Sequence, residues 1–204
     1  MDFWNLVGRR RGHFLLESGH HGDLWLDLEG LFVEPGAMRP FASQIGSVLL
    51  KDSDHRALGR GIEAVCGPLV EGAFLALEVA REISLPFTYS VPVQSDTPGR
   101  LFSMGYVIPR GLHVQLAGKR VAIVNDFINA GSAVRGTIRS LEAIGAEIAV
   151  IACLATLGSD AEKIASRAGA RLEALDRLEN RVWDPSDCPM CLEGGLVEDP
   201  GGFG

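Results

Sequence analysis

The most telling run of polar and apolar positions lies past the middle of the chain. Val121-Ala122-Ile123-Val124 is uniformly apolar and mostly β-branched, the pattern of a strand buried on both faces of a parallel sheet. A polar pair, Asn125-Asp126, and a loop of small residues, Asn129-Ala130-Gly131-Ser132, follow it. Val134, Ile138 and Leu141 then recur at helical spacing, with Arg135, Arg139 and Glu142 on the opposite face. The stretch therefore predicts a strand, a tight loop and a helix start. The same order occurs earlier. Glu63–Cys66 reads as a short strand, Gly67–Ala73 as a Gly-containing turn, and Phe74, Leu77 and Ala80 or Arg81 as one side of a helix.

Around these two units the pattern predicts an α/β protein. Residues 2–10 suit a short helix carrying Phe3, Leu6 and Val7, and Arg9-Arg10-Arg11 suits a solvated basic face. Gly12–Gly19 and the alternating Asp23–Leu28, with Leu24, Leu26 and Leu28 on one face, predict a half-buried antiparallel strand pair ahead of the main sheet. Phe41, Ile45, Val48 and Leu49 predict a helix over about 37–51. Strands are expected at Pro86–Val91, at Glu147–Leu154 in the sheet centre and at Arg171–Leu175 on its edge, with a helix at Ala161–Ala168. Residues 92–119 are poorly periodic and rich in Pro and Gly, as in a long functional or mobile loop. The expected organisation is one domain over 1–204. It comprises a hood of about residues 1–35, a core of about 36–177 and a C-terminal tail of about 178–204 that joins the hood. Pro200–Gly204 is expected to be disordered.

Composition narrows the function classes. The chain is long enough, at 204 residues, for one full core, and its 47% hydrophobic and 22% charged content is that of a globular protein. A net charge of -7 argues against nucleic acid as a partner, because that binding needs basic surface. It does not oppose a small anionic substrate held by local amides. No apolar run reaches the roughly 20 residues that span a bilayer, and Met1-Asp2-Phe3-Trp4-Asn5 lacks a signal-peptide layout, so no membrane partner and a cytoplasmic location are expected. The cysteines Cys66, Cys153, Cys188 and Cys191 are then expected to be reduced.

Ligands of open α/β sheets bind at the carboxyl ends of the strands. Free amides at a helix start, unobstructed by bulky side chains, cradle an anion. The loop Asn129–Ala133 and the turn Gly67–Gly72 both have that character, although each also fits a plain strand-to-helix connection. Asp126, at the strand end, can accept hydrogen bonds from a sugar diol.

These residues resemble the phosphoribosyl diphosphate (PRPP) motif of type I phosphoribosyltransferases, most closely the orotate phosphoribosyltransferase branch. The resemblance extends over about residues 12–195. It implies the type I phosphoribosyltransferase fold, a central parallel sheet flanked by helices with a small N-terminal hood. It also implies transfer of ribose 5-phosphate from PRPP to a nitrogenous base with release of pyrophosphate, Mg²⁺ as cofactor, and a homodimer. By the same resemblance Asn129, Ala130, Gly131, Ser132 and Ala133 hold the 5′-phosphate, and Asp126 meets the ribose hydroxyls. Asn125 stands where the family has its first acid. Gly67, Pro68, Leu69, Val70, Glu71 and Gly72 form the pyrophosphate loop, which in the family often contains a non-proline cis peptide. Ile108-Pro109-Arg110-Gly111 resembles the Ile-Arg-Lys-Gly stretch of the catalytic loop, so Arg110 is the candidate phosphate contact, with Arg100 and His113 as the other basic residues of that loop.

Gly12–Gly19 resembles the family's hood, which covers the base. There Glu17 replaces a residue that is often Lys, Arg or Thr and would repel the carboxylate of orotate, or else points to solvent. Trp25 either stacks on the base or fills a core or dimer interface. Asn125, Glu71 and the sparsely basic loop leave two further readings: a non-catalytic PRPP or nucleotide sensor, and a transferase for a base other than orotate. No protein ligand for a resident metal is assigned. His20-His21 and Cys188-Pro189-Met190-Cys191 each lack a second pair nearby in sequence, and a similar Cys-Pro-Leu-Cys ending occurs in some family members.

Overall fold

The computed structural model describes residues 2–16, 18–51, 61–94 and 104–202. Among the described residues, nine β-strands form two sheets. The hood sheet has the order β1-β2-β9, from β1 (Gly8–Leu15), β2 (His21–Asp27) and β9 (Val182–Trp183). The core sheet has six strands in the order β5-β4-β3-β6-β7-β8. They are β3 (Ala64–Pro68), β4 (Phe87–Gln94), β5 (Met104–Val107), β6 (Arg120–Ile128), β7 (Glu147–Leu157) and β8 (Arg171–Leu178). All pairings in it are parallel except β4 with β5.

Each parallel crossover contributes a helix, and strand alternation decides which face each side chain joins. Ala122 and Val124 of β6 and Val65 of β3 point to the side covered by α1 (Arg39–Leu50) and α2 (Glu71–Ile83). There they meet Phe41, Ile45, Leu75 and Val79. Val121 and Ile123 point to the opposite face, against Val134, Ile138 and Leu141 of α4 (Ser132–Ala143) and Ile164 of α5 (Asp160–Arg167). The sheet is thus sandwiched, which explains why every residue of β6 is buried. Among the described residues, no helix is long and apolar enough to cross a membrane.

Several bounds differ from the sequence pattern. β6 does not stop at Val124 but continues through the polar pair to Ile128, because β7 keeps pairing with it, Asn125 opposite Cys153 and Ile128 opposite Thr156. Residues 92–119 are not one long loop. β4 runs on to Gln94 and pairs antiparallel with β5, which lies beside α4. A 3-10 turn, Arg110–Leu112, and the single helical turn α3 (His113–Leu116) follow. Pro92 is tolerated because it sits in the outer half of this hairpin. At the N-terminus the expected helix shrinks to a 3-10 turn, Phe3–Leu6, and the arginine triplet lies on exposed β1, where Arg10 pairs with Glu198 and Arg11 with Asp23. Arg100 and Glu17 lie outside the described residues.

Candidate active site

The strand order reverses direction between β3 and β6: from β3 the chain steps outward to β4, from β6 to β7 and β8. This is the switch point at which open α/β sheets bind ligands. β3 pairs with β6 only as far as Cys66 opposite Ile123. Beyond that, β3 turns into α2 while β6 runs on, and the two diverge around a cavity of about 300 Å³. Its floor is Asn125, Asp126 and Phe127. One wall is Pro68, Leu69, Val70, Glu71 and Gly72; the other is Asn129, Ala130, Gly131, Ser132 and Ala133. The roof comes from the hood, through Leu16, Ser18, Leu24 and Trp25.

The wall after β6 is built from small residues for identifiable reasons. Gly131 caps α4 in the left-handed region at φ 73°, and a Cβ there would run into the side chain of Ile164. Arg135 folds back so that its Nη2 donates to the carbonyl of Ala130, and Asn180 Nδ2 donates to Asn129 Oδ1 at 2.9 Å. The loop is held from both sides, and Ser132 and Ala133 at the start of α4, whose amides lack intrahelical acceptors, line the cavity.

The wall after β3 is built differently. The Leu69–Val70 peptide is cis, and Glu71 and Gly72 open α2. Gly67 and Gly72 allow close approach: a Cβ on Gly67 would lie 2.6 Å from that of Ala76, and one on Gly72 would collide with Asn125 Oδ1. Asn125 therefore reaches across the switch point. Its Nδ2 donates to the carbonyl of Phe127 at 2.8 Å, and its Oδ1 rests against the start of α2.

Asp126 is buried, and its carboxyl is pushed up to about 7, chiefly by burial and further by the negative charge of Glu71 across the cleft. The amides of Phe127 and of Asp126 itself pull the other way. The core thiols are kept protonated by burial, Cys66 up to about 12 and Cys153 also raised. Two carboxylates and the Asn125 amide oxygen make a donor set of hard oxygens, which fits Mg²⁺. Among the described residues, no Lys or Arg lines the cavity.

The structure brings most of the sequence-derived candidates together: Asn125, Asp126, both loops from Pro68 to Gly72 and from Asn129 to Ala133, and Trp25. Gly67 sits behind the β3 loop as a packing contact. Arg110 is exposed on its 3-10 turn and does not line the cavity, and His113 bonds the carbonyl of Ile108 at 3.0 Å. Tyr106 and Phe127 line the cavity without having been singled out in the sequence. Tyr106 falls in the stretch read as a loop, and Phe127 lies beyond Val124, where the apolar run predicts the end of the strand.

Comparisons with known proteins agree with this geometry. The family model described as Phosphoribosyl transferase domain matches residues 40–175. An orotate phosphoribosyltransferase of Caldanaerobacter subterraneus is 27% identical over 191 residues, 94% of this chain and 89% of that protein. One from Thermotoga maritima is 29% identical over 195 residues, 95% of this chain and 91% of that protein. Among solved structures, orotate phosphoribosyltransferase from Aeropyrum pernix superposes with a TM-score of 0.59 at 22% identity, covering 85% of this chain and 89% of that one. Adenine phosphoribosyltransferase from Trypanosoma brucei gives 0.62 at 16% identity, covering 86% and 78%. With two thirds of its length matched by that model and a crevice of this shape at the switch point, the chain belongs to the phosphoribosyltransferase family.

Proposed function

We propose that the protein transfers ribose 5-phosphate from PRPP to a ring nitrogen of orotate, releasing pyrophosphate. The observation that carries this reading is Asp126 on the cavity floor between two helix-start loops, one for each phosphate end of PRPP. The orotate relatives, matched over nearly their whole length, support the choice of base.

In the reaction the bond from ribose C1 to pyrophosphate oxygen breaks, its electron pair leaving with pyrophosphate, and a C1–N bond to the base forms. The ring-nitrogen proton departs to solvent. Little covalent work falls on the protein, which orients two substrates and stabilises charge that develops at the leaving group. The amides of Ala130 to Ala133 take the 5′-phosphate, Asp126 accepts from the ribose hydroxyls, and residues 68–72 face the pyrophosphate. Glu71 and Asp126 offer the carboxylate oxygens that would hold Mg²⁺, which when bound would supply electrophilic stabilisation of the leaving group. Trp25, Leu16 and Ser18 cover the base from the hood. The protein acts in the cytoplasm as a homodimer. Arg110 then reaches phosphate in the partner copy's cavity, a role suited to its exposure beside Val107 and Val114, which are 41% and 90% exposed.

Glu71 on the pyrophosphate side favours a second reading, a PRPP sensor without turnover. Pyrophosphate release from PRPP and Mg²⁺, measured with orotate, uracil and purine bases, separates the two. Release with orotate is expected. Release only with another base replaces orotate by that base. No release with any base, while calorimetry still detects PRPP binding, leaves the sensor.

A further inference from the structure

On the outer side of the hood, away from the cavity, four side chains from three separate segments converge. His13 comes from β1, His21 from β2, Cys188 caps the single-turn helix α6 (Pro189–Leu192), and Cys191 lies within it. Their ligand atoms all lie within 4.8 Å of one another. His13 Nε2 is 3.0 Å from His21 Nδ1 and 3.3 Å from Cys188 Sγ, and Cys191 Sγ is 3.2 Å from His21 Nδ1 and 3.7 Å from His13 Nε2. We propose that His13, His21, Cys188 and Cys191 form a structural zinc site that locks the C-terminal tail onto the hood.

Three observations carry this. Four of the donor separations, 3.0 to 3.7 Å, lie close to the edges of about 3.3–3.8 Å that zinc bonds of about 2.0–2.1 Å to nitrogen and 2.3 Å to sulfur set in a tetrahedron, and all lie within 4.8 Å, so small side-chain shifts suffice to close it. The second concerns the proton on His13. Its Nδ1 is 3.2 Å from the carbonyl of Gly195, which can only accept, so in the neutral ring the proton sits on Nδ1 and Nε2 presents a lone pair. One lone pair then faces an imidazole nitrogen and two sulfurs at once, more partners than it can serve without a cation. The Gly195 contact is also the kind of outer support that orients metal-bound histidines. Third, the backbone aims these groups. The β1–β2 register shifts between Arg11 and Phe14, and such a bulge redirects the side chain within it, here buried His13. The tail is threaded past the same spot, with the amide of Glu198 donating to the His13 carbonyl at 2.8 Å and that of Leu15 to the Glu198 carbonyl at 2.8 Å.

Two thiolates with two neutral imidazoles give a closed, uncharged tetrahedral site, the form taken by structural rather than catalytic zinc. Binding releases both thiol protons to solvent. Cys191 is only partly buried, which leaves an entry path.

The test uses the full chain without a polyhistidine tag. Elemental analysis after exhaustive dialysis should find one zinc per chain. Cobalt substitution should produce tetrahedral d–d bands and a thiolate-to-cobalt charge-transfer band, both lost in Cys188→Ser. Cys191→His, which keeps four ligands, should retain the metal. Stripping the wild type with a strong chelator should lower its melting temperature by about 5 °C or more, with recovery on adding Zn²⁺. Zinc well below one per chain with no cobalt bands, or zinc undiminished in the Cys188→Ser/Cys191→Ser double variant, would overturn the proposal. So would a Cys188–Cys191 disulfide found by mass spectrometry in freshly purified protein.

Discussion

The two loops that flank the switch point share one architecture and differ in charge. Each leaves the carboxyl end of a parallel strand and opens a helix. The loop after β6 is small and neutral, braced by Arg135 and Asn180, with a left-handed glycine at its cap. The loop after β3 carries a carboxylate, Glu71, and a cis peptide, and it leans on Asn125 rather than on a cation. As proposed, the first would hold an anion by its amides alone. If the second faces pyrophosphate, as proposed, it offers negative charge to a negative ligand and would be completed by a divalent cation between them. Phosphate binding at one loop should therefore be indifferent to Mg²⁺, whereas pyrophosphate binding at the other should depend on it.

The largest effect that would test this contrast lies at the floor between the loops. Asp126→Asn should weaken PRPP binding by about 100-fold or more, roughly 3 kcal/mol, as measured by calorimetry. The same variant should be the more stable protein at neutral pH and above. Asp126 titrates near 7 when folded against an ordinary 3.8, so burial costs nothing below about pH 4. The cost grows as pH rises toward 7 and is complete above it, on the order of a few kcal/mol. Melting temperatures across pH 5 to 8 should therefore show the variant gaining steadily on the wild type. A constant difference would mean that Asp126 is already ionised in the free protein.

Asn125→Asp comes next. The Nδ2 that donates to the Phe127 carbonyl would become an acceptor facing an acceptor, beside Asp126 and Glu71. A loss of about 1–3 kcal/mol is expected in denaturant melts, with activity falling rather than rising. If activity rises, the asparagine is a lesion and not an adapted brace. Gly131→Ala should cost about 1–2 kcal/mol from the left-handed backbone alone and should weaken phosphate binding with or without Mg²⁺. The smallest change, Glu71→Gln, should improve PRPP affinity a few-fold in the absence of Mg²⁺ and leave it nearly unchanged when Mg²⁺ saturates. An equal gain in both conditions would show that no cation mediates at this loop.

Much of this contrast was legible in the sequence because both loops are local: a few residues between an apolar strand and a helical stripe. The face alternation of Val121 to Val124 likewise follows from period alone. What escaped was set by partners distant in the chain. The continuation of β6 through Asn125 and Asp126 depends on β7, which overrides the polar pair. The β4–β5 hairpin was hidden by Pro92 and by the weak pattern of Met104–Val107. Cys188 and Cys191 had no second pair within sequence reach, because their neighbours His13 and His21 arrive from the other end of the chain. Glu17 was singled out for the base but lies outside the described residues.

Among the described residues, the core sheet and the hood sheet share no paired strand. The cavity is nonetheless jointly owned, its floor and walls by one sheet and its roof by the other. If the roof covers the base, as proposed, drift in residues 16–28 would retune which heterocycle fits beneath it while the loops proposed for the sugar phosphate stay untouched. Exchanging hood and tail between relatives as one cassette should thus move specificity without rebuilding the chemistry.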